Sequence, residues 1–467
     1  MMPNRLDRFT RQLTSRAWIS LVRSCWITAP AVALGLGAVD VLSAGECPSS
    51  DQILSLVERL GDDQYSVRQA ASRGLLGVGA EAIAPLRQAA DGRDLEVTVR
   101  SVALLRQLYI EADPATSAAA GEALRSLMSS PRTNTAHYAQ RALRSRHNLA
   151  VVQLASQGAD VRNETRSGEY RPGMRVSLND RWQGGDNGLL HLADVENLTT
   201  LSLKRAAVSP DAAEYLRPLA GLEWLSLEDT TFGDEQLDAI ASLVNLRRLY
   251  LGDCRVTGAG LSRLSGLKEL EYLSLKNLRI GAGELHALAA LPKLTQLGVD
   301  ETELTDAGLA EVAQLVNLQT LWINGAQVTD PGLKSLASLS QLRTLYIAET
   351  KLTGEGLAPL AGNVDLTFLS CTNATINDAG LEQIGKFPNL QSLMLDGSEV
   401  TDEGLRHLAG LKNLQSLWLQ DTRITDAGLK HLHGLTNLTS LRLNRSKVTS
   451  AGIAELNEAM PNLETRR

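Results

Sequence analysis

The stretch Leu414-Gln-Ser-Leu-Trp-Leu-Gln-Asp-Thr-Arg-Ile-Thr-Asp-Ala-Gly-Leu429 decides the fold, because it is one copy of a pattern that returns every 24 residues. Its opening Leu-x-x-Leu-x-Leu starts at Leu198, Leu222, Leu246, Leu270, Leu294, Leu318, Leu342, Leu366, Leu390, Leu414 and Leu438, with no insertion or deletion. Val299, Ile323, Ile347 and Cys371 replace the third Leu in four copies. Five residues further on comes another apolar residue, as in Val208, Phe232, Val256, Ile280, Val328, Ile424 and Val448. A fixed period of this length is the mark of a solenoid, in which each unit buries its apolar edge only by stacking on the next.

Within one unit the end of Leu-x-x-Leu-x-Leu alternates, which predicts a short strand with its leucines turned inward. The later Gly-Leu (Gly308-Leu309, Gly332-Leu333, Gly404-Leu405, Gly428-Leu429) opens a helical face continued three residues on by Val312, Leu336, Leu408 and Leu432. Thr-Asp before it (Thr305-Asp306, Thr329-Asp330, Thr401-Asp402, Thr425-Asp426) is read as an N-cap. Residues 198–467 resemble the leucine-rich repeat family, closest to the subclass Leu-x-x-Leu-x-Leu-x-x-(Cys/Thr)-x-Val-Thr-Asp-x-Gly-Leu. The resemblance implies an α/β solenoid, a horseshoe with a parallel sheet on its concave side. Many members carry Asn at the ninth position. Thr230, Cys254, Thr302, Thr350, Ser398, Thr422 and Ser446 stand there instead, so hydroxyls, Cys or water must satisfy the backbone.

Upstream, residues 51–146 predict an all-helical domain. Ile53, Leu54, Leu56, Val57 and Leu60 keep helical spacing, Gly61, Gly77 and Gly92 punctuate, and Asp62-Asp63 and Asp94 can cap the helices that follow. Val67-Arg68 with Ala70-Ala71 and Leu75 is matched 32 residues later by Val99-Arg100 with Ala103-Leu104 and Leu108. The pair resembles bacterial HEAT-like repeats, and residues 114–145 can add another helical pair. Residues 147–197 are a transition: Val176-x-Leu178 and Trp182 mimic an imperfect first repeat that covers the open end of the core, as terminal repeats do.

Residues 1–47 carry Arg5, Arg8, Arg11, Arg16 and Arg23 ahead of an apolar run within residues 24–39, and Leu42-Ser43-Ala44 follows. This reads as a secretory signal, or alternatively as a membrane tether through residues 24–39. The expected placement is therefore exported: periplasmic, extracellular or membrane-tethered. Cys254 and Cys371 lie in repeats five steps apart, about 24 Å at the strand spacing, beyond disulfide reach.

The net charge of -7 offers no basic stripe, so no nucleic-acid partner is expected. No phosphate loop or nucleophile elbow appears, no cofactor is implied and no catalytic residue is assigned. His407, His431 and His433 lie close in adjacent repeats without completing a metal set, and the acid pairs at turns read as solvated faces rather than calcium sites. Aromatics make up only 4% of the chain. From Leu198 onward there are ten, and seven fall between the strand leucines: Trp224, Tyr250, Tyr272, Trp322, Tyr346, Phe368 and Trp418, with Met394 in the same columns. Phe232 is expected in the core, and Tyr215 and Phe387 on the helical side. Glu228, Asp229, Asp253, Asp300, Glu301, Glu349, Asp396 and Asp421 flank the aromatics as an acidic edge. Aromatics and Met are enriched where proteins grip partners, so these eight residues are the expected contact site of a protein partner. The expected function is a non-catalytic interaction scaffold. The alternatives are a ubiquitin-ligase-like substrate adaptor, and an exported enzyme or enzyme inhibitor of unrecognised chemistry.

Overall fold

The computed structural model describes residues 48–164, 172–362 and 365–467, and the expectations for residues 1–47 lie outside them. Two compact units divide at Arg146 and His147.

The first unit is all-helical: α1 (Ser50–Glu58), α2 (Tyr65–Val78), α3 (Ile83–Ala90), α4 (Leu95–Glu111), α5 (Pro114–Leu127) and the start of α6 (Thr133–Ser156). Leu60, Leu75, Leu86, Leu105 and Leu124 are fully buried in its core. Ser49 and Gln52 form a reciprocal capping box at α1, and Asp94 caps α4 by accepting from Val97 N–H at 3.1 Å. Asp62 does not cap α2, whose N-cap is Gln64; its carboxylate accepts from Gln64 N–H instead. The two Val-Arg pairs also differ in their bonding. Arg68 reaches back to the carbonyls of Asp62 and Asp63 at 2.7 and 2.9 Å, while Arg100 pairs with Glu96 on its own helix.

The second unit carries one 14-stranded sheet in sequence order. Strand β1 (Asp160–Glu164) runs antiparallel to β2 (Gly173–Ser177), and β2 is parallel to β3 (Leu198–Ser202). Ten three-residue strands, β4 to β13, follow at 24-residue intervals from Trp224–Ser226 to Ser440–Arg442, and β14 (Glu464–Arg466) ends the sheet. All later pairings are parallel, with Leu225, Leu249 and Leu273 through Leu441 opposite one another and fully buried. Val176, Leu178 and Trp182 belong to the same core, so the atypical first repeat closes one end of it.

After each strand the chain turns through a left-handed residue at the eighth position. Arg205, Asp229, Asp253, Asn277, Glu301, Glu349, Asn373, Asp421 and Arg445 have φ between 53° and 61° when Asn277 at 53° and Arg205 at 61° mark the extremes, and Gly325 and Gly397 take the same turn. The ninth-position hydroxyl then answers the question the sequence poses. Thr230, Thr302, Thr350, Thr422 and Ser446 each donate to the carbonyl three residues back at 2.6–2.7 Å, from Leu227 at 2.6 Å to Leu443 at 2.7 Å, and Cys254 Sγ donates to Leu227 O at 3.0 Å.

The aspartate of the Thr-Asp pair bonds across to the next repeat. Asp306 accepts from the backbone N–H and the hydroxyl of Thr329 in the next repeat, at 2.8 and 2.6 Å. The same rung joins Asp186 to Ser209, Asp234 to Thr257, Asp330 to Thr353, Asp378 to Thr401, Asp402 to Thr425 and Asp426 to Thr449. Thr305, Thr329 and Thr401 make no side-chain cap bond, whereas Thr425 does cap its helix, its hydroxyl accepting from Ala427 N–H at 3.3 Å. A second ladder runs ahead of the strands, where Asn245, Asn317, Asn413 and Asn437 donate to carbonyls of the preceding repeat. These two ladders consume the polar groups that the turns would otherwise leave unpaired.

The glycine of Gly-Leu follows from the same ladder. A β-carbon at Gly260, Gly332, Gly404, Gly428 or Gly452 would overlap the carboxylate of the preceding repeat's Asp. Phe387 lies on the helical side and is fully buried there, replacing the leucine that ends the helical segment in neighbouring repeats, such as Leu339 and Leu411. Cys371 is fully buried in the core while Cys254 is half-buried at the turn, and burial pushes both thiols up, away from the thiolate form.

Candidate functional site: the aromatic file on the strand face

Parallel pairing turns the residues between the strand leucines into two columns. One column runs Trp224, Arg248, Tyr272, Gln296, Thr320, Thr344, Phe368, Ser392, Ser416, Ser440, and the other runs Ser226, Tyr250, Ser274, Gly298, Trp322, Tyr346, Ser370, Met394, Trp418, Arg442. Their side chains stand on the face opposite the buried leucines because successive strand residues alternate.

All eight expected contact residues lie here, each half-buried. Six of them form a continuous file. Ring centroids are 5.0 Å apart for Trp224–Tyr250, 4.7 Å for Tyr250–Tyr272, 5.8 Å for Tyr272–Trp322, 5.5 Å for Trp322–Tyr346 and 4.9 Å for Tyr346–Phe368. The file passes from one column to the other, which alignment of the sequence by itself does not display. Tyr272 and Trp322 touch although β7 (Gln296–Gly298) lies between their strands, because Gly298 has no side chain to separate them. Met394 and Trp418 continue the register in the second column.

Arginines, which the sequence reading did not single out, flank the rings. The Arg442 guanidinium lies 3.7 Å from the centre of the Trp418 ring, and Arg175 and Arg248 lie 5.9 Å from Trp224 and Tyr272. The parallel register of columns would have signalled the first of these, since Trp418 and Arg442 are 24 residues apart.

Much of the acidic edge is tied into neighbouring repeats. Glu228 pairs with Lys204, Asp229 with Arg205, Glu301 with Lys276, and Asp421 with Arg445, while Asp253 accepts from Asn277. Asp300 Oδ1 accepts from the Asn324 N–H and amide at 3.0 and 2.7 Å, and Asp396 Oδ1 from Gln420 N–H at 2.9 Å. Burial pushes both of these carboxyls above the usual carboxylate range. Burial likewise raises Tyr272 to about 12, with Tyr250 adding to the effect, so the phenol stays neutral.

Among the described residues no group of three or more His, Cys, Asp or Glu side chains is placed to hold a metal ion. No helix among them is long and apolar enough to cross a membrane.

Comparison with known proteins bears on the second unit. The chain is similar to an internalin from Listeria monocytogenes, with 20% identity over 74% of this chain and 93% of that one, at a TM-score of 0.48. It is also similar to the leucine-rich-repeat ectodomain of a membrane receptor kinase from Arabidopsis thaliana, solved in complex with Casparian strip integrity factor 2. There the identity is 20% over 65% of this chain and 39% of that one, with a TM-score of 0.42. A leucine-rich repeat protein of Leptospira interrogans gives 18% identity over 59% of this chain and 92% of that one, at a TM-score of 0.36. No curated protein matches the chain. The family profile described as a leucine-rich repeat region matches residues 176–466, from the buried Val176 on strand β2 to the last strand. With more than half of its length so matched, the chain belongs to the leucine-rich repeat family.

Proposed function

We propose that this chain is a non-catalytic scaffold that holds a protein partner on the strand face of its solenoid, through Trp224, Tyr250, Tyr272, Trp322, Tyr346, Phe368, Met394 and Trp418. The observation that carries the reading is the file of six touching, half-exposed rings. Ring pairs in such contact are worth about 0.5–1.5 kcal/mol each beyond their buried area. The file is therefore ordered before any partner arrives, and less conformational entropy is lost on binding. Rings that merely shielded the sheet would not need to meet across Gly298.

The test is a triple variant, Trp322→Ala, Tyr346→Ala and Trp418→Ala. It should keep a thermal midpoint within a few degrees of the parent, because none of the three belongs to the leucine core. It should fail to capture the partner that the parent chain retains from native extract. Unfolding of the variant would assign the rings to shielding, and undiminished capture would move the contact site elsewhere.

Two further readings go with the scaffold. The helical residues 51–146 are read as HEAT-like, on the Val-Arg pairs and on Arg68 folding back to the acidic turn before it. The arginines and apolar run of residues 1–47 favour export or tethering. Cell fractionation checks the second point: the full chain should be recovered with exported or membrane material, and recovery with the cytoplasm would overturn it.

A further inference from the structure

We infer that the section of the strand face between Asp300 and Asp396 receives an extended peptide bearing lysine or arginine at two positions six residues apart, with apolar side chains between them. This deepens the scaffold reading and rests on it.

The two carboxylates bracket three consecutive rings. Asp300 follows the strand Gln296–Gly298, and Asp396 follows Ser392–Met394; between them, on successive strands, come Trp322, Tyr346 and Phe368. Unlike Asp229, Glu301 and Asp421, neither acid forms an ion pair among the described residues. Each spends Oδ1 on the next repeat, and Asp300 is half-buried while Asp396 is 9% exposed, so a cation would meet them at the floor of the face rather than at its rim. Asp300 Oδ2 lies over Gly298, 3.5 Å from where a β-carbon would sit, in a place no side chain of that residue covers. Their surroundings already disfavour the bare charge, and an arriving cation relieves that cost. Lys276 acts on Asp300 and Arg442 on Asp396 from outside the section without outweighing burial, and Arg343 sits at its margin with Asp365 4.0 Å away. Cations are also attracted to the faces of Trp and Tyr rings, which lie between the acids.

Geometry fixes the spacing. Asp300 and Asp396 are four repeats apart, about 19 Å at about 4.8 Å per strand. An extended chain advances about 3.3 Å per residue, so about six residues span them. Alternation puts residues i, i+2, i+4 and i+6 on one side. Two cations at the ends then meet the acids while two apolar side chains meet the rings. Thr320, Thr344 and Ser392, half-buried beside the rings in the first column, supply hydroxyls for the peptide's backbone.

The experiment uses the full chain and three labelled synthetic peptides, with binding read by fluorescence anisotropy. The first is Lys-Ser-Leu-Ser-Leu-Ser-Lys. The second has Glu in place of both Lys. The third lacks one Ser, which puts its second Lys on the opposite side. The first should bind about tenfold or more tighter than the others, and weaken as salt rises from about 0.05 to about 0.5 M. The double variant Asp300→Asn, Asp396→Asn keeps the Oδ1 acceptors and should keep its melting temperature, yet lose about tenfold or more in affinity for the first peptide. Equal binding of the Glu peptide, indifference to the double variant, or no binding of any peptide would overturn the inference. If the ring variant still loses partner capture in any of those cases, the scaffold reading survives and only the peptide chemistry falls. If the ring variant keeps capture, the scaffold reading itself falls.

Discussion

Asp330 shows how much one side chain holds in this fold. Its carboxylate accepts from the Thr353 N–H and hydroxyl and from the N–H groups of Gly354 and Gly356, at 2.9–3.0 Å, the Thr353 hydroxyl at 2.9 Å and the Gly354 N–H at 3.0 Å. Burial acts to raise its pKa, but these hydrogen bonds outweigh burial and hold it below the usual value. Asp426, bonded to Thr449, is lowered too. A carboxyl lowered in the folded chain stabilises fully above its unfolded value and loses that effect as pH falls through the folded one. Thermal stability should therefore drop below about pH 4, and Asp330→Asn should flatten that drop in melts recorded across acidic pH. Asp330→Ala, which strands four donors, should cost about 2–3 kcal/mol in denaturant titration. Asp300 and Asp396 have the opposite sign: being raised, they cost stability as pH climbs from the ordinary carboxylate value through the folded one. At this scale the sequence was only partly readable. Thr-Asp looked like an N-cap because its spacing to Gly-Leu suits one, and only three-dimensional stacking puts the aspartate beside the next repeat's threonine. The burial of Phe387 on the helical side likewise went unread, because an aromatic had replaced the leucine that marks the core in its neighbours.

The elements are short, and the joins between them are made by close approach. Gly332→Ala places a methyl group against the Asp306 carboxylate, and about 2 kcal/mol or more of stability should be lost. In an Asp306→Ala background the same substitution should cost much less, and a double-mutant cycle by urea unfolding reads the coupling. Additive costs would mean that the glycine is kept for another reason. The strands were legible because alternation and the 24-residue period coincide at every copy. The convex segments were less so. Leucine spacing predicts a helical face, but Gly258–Gly266 and Glu355–Gly362 are 3-10 helices, and Asp330–Leu333 and Asp402–Leu405 are single α-turns that pass into 3-10. So few residues link one strand to the next that a tight helix serves as well as an α-helix. The aromatic columns were visible in the sequence, and the 24-residue spacing of Trp418 and Arg442 signals that pair too, but the contact across Gly298 was not, since it joins rings of different columns two strands apart.

For the molecule as a whole, the core boundary is sharper than the change in sequence pattern. Ala150 and Leu154, on α6, are buried in the solenoid core rather than in that of the helical unit. A chain beginning at His147 should melt cooperatively, whereas one beginning at Gly158 should lose several degrees in thermal midpoint because the first strands lose those two contacts. Removing residues 295–318, one full period, should leave a folded protein with one strand fewer. Removing half that number should abolish cooperative melting, because the leucines would no longer meet in register.

The hydroxyl–carboxylate rungs do not join every pair of repeats. Gly258 and Gly281 stand where the pattern calls for Asp and Thr, Ala282 replaces the next Asp, and Gly354 faces Asn377 further along. Pro210 and Gly233 leave out another, whereas the rungs from Asp378 to Thr401, Asp402 to Thr425 and Asp426 to Thr449 are consecutive. Stretched by its ends in an optical trap, such a coil would not ravel evenly. It would tear first between repeats at Pro210–Gly233, at Gly258–Thr305 and at Gly354–Asn377, and the last three rungs would release together as one tougher block.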